Sequence, residues 1–373
     1  PWKTTINGVY VDTFLLGGDS AVRFREGSLY LDGRRVIPLS FLAGRYPQVR
    51  EKLAALGRQK RTHTRMLHEF YVLQRSIAGQ PGFTEEEQAL CRALEQGPLP
   101  IEELAEAVKG DIYTMKTERL EAEGILMRSG LTPTDAMILK GDFPGHSGEA
   151  AGEALRFIAR NLGCRPEEIP DQVYGLVEKK LYCNLVRILL NLEHPGQQRT
   201  LEQENIETFI GLCYEKARRP ERVSWMQVPF TVKFPLVGVG APIHIFLPRV
   251  AAMLGTRAAI SKDAPVANAL GAIASQVVTR VRLRVKVEYR GAEFLGFSVY
   301  EGTERKLFRD YHQALELAEK LARAQVLEKI RRRGGFENPA VQVEFREIGG
   351  KGSNLPMLFE TIVEATAVSA FRL

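Results

Sequence analysis

Two glycine-bearing stretches carry the residue types that chemistry needs. The first is Leu15-Leu16-Gly17-Gly18-Asp19-Ser20, where an apolar run, Val9–Leu16, meets a sharp turn. Two glycines let backbone N–H groups come close to an anion. Asp19 can hold a cation or its bound water, and Ser20 adds a hydroxyl. This set suits a phosphate and its metal. A β-hairpin closed by a Gly-Gly turn uses the same residues equally well. The second stretch is Val237-Gly238-Val239-Gly240-Ala241-Pro242-Ile243-His244, with the small-residue segment Ala267-Asn268-Ala269-Leu270-Gly271-Ala272 beyond it. Small residues admit close approach of a backbone or a ligand. His244, just after the turn, is a candidate proton carrier, against the plainer role of packing or capping. His63 and His68 are five apart, not the i, i+4 of a helical metal pair. No Ser-His-Asp or Cys-His arrangement stands out.

The elements that must position these stretches follow from periodicity. Val9–Leu16, Ala21–Phe24 and Ser28–Leu31 read as three short strands, with turn signals at Glu26-Gly27 and Asp32-Gly33. Ser40 is placed to N-cap a helix carrying Leu42, Val49, Leu53 and Leu56. Between Phe83 and Gly130 the pattern changes to helix, helix-turn-helix and wing. Thr84 and Glu87 form a capping box, Ile101–Val108 is a second helix, and Asp111 starts a third that runs to about Glu123. Ile125–Met127 is the wing strand, with a turn at Ser129-Gly130. This winged-helix-like unit holds five basic against eleven acidic residues. DNA affinity rests on neutralising phosphates, so packing or partner contact is the better use of it, and nucleic acid is an unfavoured partner.

Helices follow at Glu149–Leu162, Pro170–Leu192 and Leu201–Lys216. Val232–Val239 is an apolar strand of the kind covered on both faces, leading to a helix Ile243–Leu254 and a short strand Arg257–Ile260. From Val281 to Tyr289 apolar and charged residues alternate. With Phe294–Tyr300, an amphipathic helix Tyr311–Arg331, and strands Val341–Phe345 and Leu358–Val363, they form a small α+β sandwich. Its Arg/Lys face and Arg331-Arg332-Arg333 carry much of the net charge of +6. A basic cluster at a helix end complements the helix dipole; an anion or acidic partner is the sharper alternative.

The chain has 373 residues, room for two or three domains at ~150 residues each. No apolar run approaches the ~18 residues of a membrane span. Cys91, Cys164, Cys183 and Cys213 are widely spaced, without CxxC pairs. That pattern points to reduced, buried thiols and a cytoplasmic location. The sequence begins at Pro1 rather than methionine, and an upstream segment is expected.

Three segments together resemble the hydantoinase/oxoprolinase family of the actin-like ATPase superfamily. They are Phe14–Val22, then Leu131-Thr132-Pro133-Thr134-Asp135-Ala136 with Leu139 and Gly141, and the long block from Val237 through Leu254-Gly255 to Ala272. The resemblance covers about residues 9–56 and 131–280. It implies a ribonuclease-H-like, actin-like α/β lobe. The expected organisation is the first part of that lobe at 1–80, a winged-helix-like insert at 81–130, the rest of the lobe at 131–279, and the α+β domain at 280–373. By the same resemblance Gly17, Gly18, Asp19 and Ser20 are a phosphate loop. Gly238, Gly240, Ala241 and Pro242 lie on the adenosine side, and Thr134 and Asp135 lie near the cleft. The implied chemistry is ATP-dependent activation of an amide or carbonyl oxygen, with Mg²⁺ held by Asp19 or Asp135 and with Asp19, Asp135 and His244 as the reactive groups. The implied substrate is a small cyclic amide or carbonyl compound. The family's Asp-x-Gly-Gly-Thr loop is absent, so an N-terminal lobe or partner subunit is expected, and a homo-oligomer is compatible with this. Two alternatives stay open: a nucleotide-dependent regulator or assembly factor, and a DNA-binding regulator.

Overall fold

The computed structural model describes residues 16–370 apart from 145, 195, 202, 220–224, 275, 292, 302–303, 335–338 and 352–355. The expected strand Val9–Leu16 therefore lies outside the described residues except for Leu16. The chain is α/β with mixed sheets and divides into two compact units, Pro1–Ala264 and Pro265–Leu373. Among the described residues no helix is long and apolar enough to cross a membrane. All four cysteines are unpaired, Cys91 and Cys213 buried, Cys164 and Cys183 half-buried.

The first unit opens with a hairpin, β1 (Ser20–Arg25) and β2 (Ser28–Arg35). Glu26 and Gly27 both take positive φ at its tip, the geometry that matches strand twist. The turn expected at Asp32-Gly33 is instead part of β2. The pairing slips there, from Val22↔Leu31 to Ser20↔Arg35, so the Asp-Gly pair marks a bulge. β3 (Ile37–Pro38) leads into α1 (Leu39–Arg45) and α2 (Gln48–Arg58). Ser40 sits inside α1 rather than at its cap, which is Pro38.

β4 (Phe70–Leu73) precedes the winged-helix-like stretch. There α3 (Glu85–Ala93) starts at Thr84 with both halves of the capping box made. Thr84→Ala is expected to cost about 1 kcal/mol, read as a shift of the urea midpoint. β5 (Leu99–Pro100) and α4 (Ile101–Ala107) follow. The third helix departs from expectation: α5 is only Glu118–Ala122. The Asp111 carboxylate accepts from Tyr113 N at 2.8 Å and its carbonyl from Met115 N at 3.0 Å, an N-cap bond over a single turn that does not continue. β6 runs Leu126–Gly130, so Ser129-Gly130 is strand, not turn. Ser129 pairs with Phe70 on one side and Ile37 on the other, and its hydroxyl donates to the Ile37 carbonyl at 2.7 Å. The sheet order β3-β6-β4-β5 thus ties this stretch to residues 37–73.

α6 (Pro133–Lys140) and α7 (Glu149–Leu162) complete the first core, with α7 closed by a left-handed Gly163. α8 (Ile169–Glu193) continues into a second core, built with α10 (Glu204–Arg218) after the short α9 (Gln198–Leu201). β7 (Leu236–Gly238), α11 (Ile243–Met253) and β8 (Ala258–Ile260) close the unit. β7 is shorter than the expected strand Val232–Val239, and among the described residues only β8 pairs with it, in parallel. Val237 and Val239 face solvent instead of lying under a second layer.

The second unit begins with α12 (Ala267–Ala274). It then lays down β9 (Gln276–Arg290), β10 (Glu293–Glu301), β11 (Glu304–Phe308), α13 (Tyr311–Arg332), β12 (Ala340–Lys351) and β13 (Pro356–Ala370). The sheet order is β11-β10-β9-β13-β12, antiparallel throughout. α13 covers one face with Ala314, Ala318, Ala322, Val326 and Ile330, a four-residue repeat of mostly small residues along one side of the helix. On the other face Arg280 and Arg282 meet Glu364, and Arg284 meets Glu360. Cross-strand carboxylates therefore offset much of the basic face read from the sequence.

Candidate functional site

The Gly17-Gly18-Asp19-Ser20 turn is built by its own polar groups and by α6. Ser20 N donates to Gly17 O, and Gly17 N donates to the Ser20 hydroxyl at 3.0 Å. The Gly18 carbonyl accepts from both Thr134 N and the Thr134 hydroxyl. A Cβ on Gly18 would stand 2.6 Å from Thr134 Oγ1, so only glycine lets the turn close on the helix. Ser20 and Thr134 are buried and spent on this scaffold. Among the described residues no acceptor lies within reach of the Gly18 or Asp19 N–H. The Asp19 carboxylate is accessible and meets Arg35 at 3.7 Å.

The second glycine stretch stands across a cavity of about 190 Å³ from the first. The lining of this cavity brings Gly17, Gly18 and Pro133 together with Val239, Pro242 and Ile243, is otherwise apolar (Leu16, Met137, Val177, Leu181 and Phe246), and does not include Asp19, Ser20 or His244. Gly238 is needed for packing: a Cβ there would meet Leu247 at 2.6 Å and Ile243 at 2.8 Å. Gly240 takes φ +109° and donates to Ala264 O at 2.7 Å, which shapes the loop before α11. His244 is exposed, and its Nδ1 donates to Ala241 O at 2.9 Å. Nδ1 is thus engaged by the loop, and among the described residues Nε2 has no hydrogen-bond partner.

Asp135 is elsewhere in role. It is fully buried, and its two oxygens accept from Leu39 N, Ser40 N, Thr132 N and the Thr132 hydroxyl. It caps α1 and α6 together. Burial raises its pKa, against the bonds from Ser40, Thr132 and Leu39, which pull it down. Oδ2 takes three of these bonds and Oδ1 one, and Asp135 does not line the cavity. No family model, curated protein or solved structure matches the chain.

A second, larger cleft of about 1010 Å³ is formed by residues the sequence reading did not single out. Arg23 binds Glu69 through Nε and Nη2, at 2.6 and 2.8 Å, and Asp32 through Nη1 at 2.6 Å. Arg128 binds Glu121 at 2.8 Å and Glu69 at 3.5 Å, and lies over the Tyr71 ring. Burial works against the charge on Arg128, yet Tyr71, Glu121 and Glu69 outweigh it and raise its pKa. Burial also raises the Tyr71 phenol. The sequence signal for this network was faint: a basic residue at Arg23 on the alternation of β1, and a Glu69 among apolar neighbours.

Proposed function

We propose that the chain is the nucleotide-binding part of an ATP-dependent hydrolase of the hydantoinase/oxoprolinase type, acting on an amide or carbonyl. The observation that carries this reading is the single cavity on which Gly17 and Gly18 meet Val239, Pro242 and Ile243. Those segments come from the two ends of the first unit, and the resemblance assigns both to the nucleotide. In this reading the Gly18 and Asp19 N–H groups receive a phosphate, and Asp19 holds Mg²⁺ or its water. Bound nucleotide and Mg²⁺ supply the phosphoryl transfer that activates the substrate oxygen. His244 Nε2 takes up a proton at the α11 end. The cavity falls below the ~300 Å³ of an enclosing ligand site. In this reading a second lobe or partner subunit completes the site.

A nucleotide-dependent regulator or assembly factor is the second reading. The burial of Asp135 favours it, because of the expected reactive groups only Asp19 and His244 remain accessible. Calorimetry with Mg·ATP tests the shared premise. Wild type is expected to bind, and Asp19→Ala to bind at least tenfold more weakly, about 1.4 kcal/mol. Its melting temperature should hold, since the ion pair to Arg35 is exposed and long. No binding heat from wild type removes both readings. Binding without phosphate release, with the partner present, selects the regulator.

A further inference from the structure

The 1010 Å³ cleft shares no lining residue with the cavity at the glycine turn, and its occupant is a separate question. We propose that it binds a small organic anion, an apolar or aromatic body bearing one carboxylate or phosphate, held at the mouth by Arg25 and Arg65.

The floor of the cleft cannot do this. Arg23 and Arg128 are already saturated by Asp32, Glu69 and Glu121. With Arg34 also on Glu121, three arginines face three carboxylates, and this neutral chain ties β1 and β6 to the residue just before β4. The mouth differs. Arg25 and Arg65 are exposed, and among the described residues neither has a carboxylate partner. Each lies over a tyrosine ring, Arg25 at 5.6 Å from the Tyr30 centroid and Arg65 at 5.0 Å from that of Tyr113. Stacking holds the guanidinium plane and leaves its in-plane N–H groups open. That fork matches a carboxylate or phosphate in a two-pronged contact.

The loop that carries Arg65 is pinned as well. His63 N donates to Asn161 Oδ1 at 2.9 Å, and Arg65 N donates to His63 Nδ1 at 2.9 Å. Behind the mouth, Met66, Ile112 and Met115 line the cleft. Methionines adapt their shape to an apolar guest. The volume sits at the upper end of the ~300–1,000 Å³ of small-molecule sites. Glu26 and Glu118 also line it. Their charge disfavours a polyanion such as nucleic acid and selects a guest with one anionic group on an apolar body.

The test titrates the full chain with benzoate, phenyl phosphate and the neutral benzyl alcohol, followed by NMR shifts. At least one of the two anions should bind tenfold or more tightly than the alcohol. Arg25→Gln and Arg65→Gln should each weaken that anion about fivefold, and the double variant should erase the preference. Arg92→Gln, an exposed arginine outside the cleft, should change nothing. Which anion responds tells a carboxylate source from a phosphate source. Melting temperatures of the variants report folding, and both side chains are exposed, so they should match wild type. Equal binding of alcohol and anions, no binding by any probe, or a preference that survives the double variant overturns the proposal. None of these outcomes touches Mg·ATP binding, which is measured at the other cavity.

Discussion

Replacing Asp135 with Ala is expected to destabilise the first unit by about 3–5 kcal/mol, the loss expected when a buried, hydrogen-bonded charge is removed and its donors are stranded. The magnitude follows from what the carboxylate serves. Leu39 N and Ser40 N are the first orphan donors of α1, and Pro38 in the cap position has no side-chain acceptor. At α6 the carboxylate accepts from Thr132 N and the Thr132 hydroxyl, its half of the capping box. All lie where water does not reach, so each loses a partner outright. Asp135→Asn should fall between, at about 1–3 kcal/mol, because one carboxamide end is a donor facing donors. Urea unfolding followed by circular dichroism reads both. A loss below 1 kcal/mol for the Ala variant would mean that the two caps are independent of this residue. Because α6 also holds Gly18 through Thr134, the variant should in addition loosen the glycine turn and, on the proposed function, lower Mg·ATP affinity. Asp19→Ala should lower affinity alone, and that contrast separates a positioning acid from a ligand-facing one.

The same residue shows what the sequence could and could not disclose. Bonds within a few residues were legible. The Thr84–Glu87 box and the left-handed Gly163 after α7 are where local spacing puts them. Ser40 had the right type for a cap, but Asp135, 95 residues away, took the position. No local pattern signals a cap donated from another helix. Asp111 was a strong start signal and makes its cap bond, but the turn it opens ends before Glu118, where α5 begins. The glycine turn and the loop before α11 were found separately from residue types, and the fold sets both on one cavity. The larger cleft drew on strands, loops and helix ends between Arg23 and Asn161. Its arginines look like ordinary surface charge until their tyrosine partners are in place.

His68 contributes to the loss of stability of the first unit in acid. The ring is fully buried between Phe24 and Phe157, at centroid distances of 6.3 and 6.0 Å. Among the described residues neither ring nitrogen has a hydrogen-bond partner. Burial, with the Arg23 guanidinium adding to it, pushes the pKa from 6.5 down to about 3. The folded protein therefore keeps His68 neutral, while the unfolded chain takes up a proton below about 6.5. Stability from this group is complete above that pH and is lost as pH falls, at about 1.4 kcal/mol per unit until the folded value is reached. At pH 4.5 the loss is about 2.7 kcal/mol. Asp135 and Glu178, whose pKa values burial raises, act with the opposite sign, because they gain a proton more readily when folded. The total pH profile thus mixes both, and the difference between wild type and His68→Phe isolates the histidine. Phenylalanine keeps the ring contacts and removes two unsatisfied nitrogens, so it should equal or exceed wild type at pH 7.5. Below 6.5 its advantage should widen with the slope given above. Unfolding free energies measured from pH 4.5 to 7.5 decide it: two parallel curves would show that His68 is protonated in the folded state or reached by water.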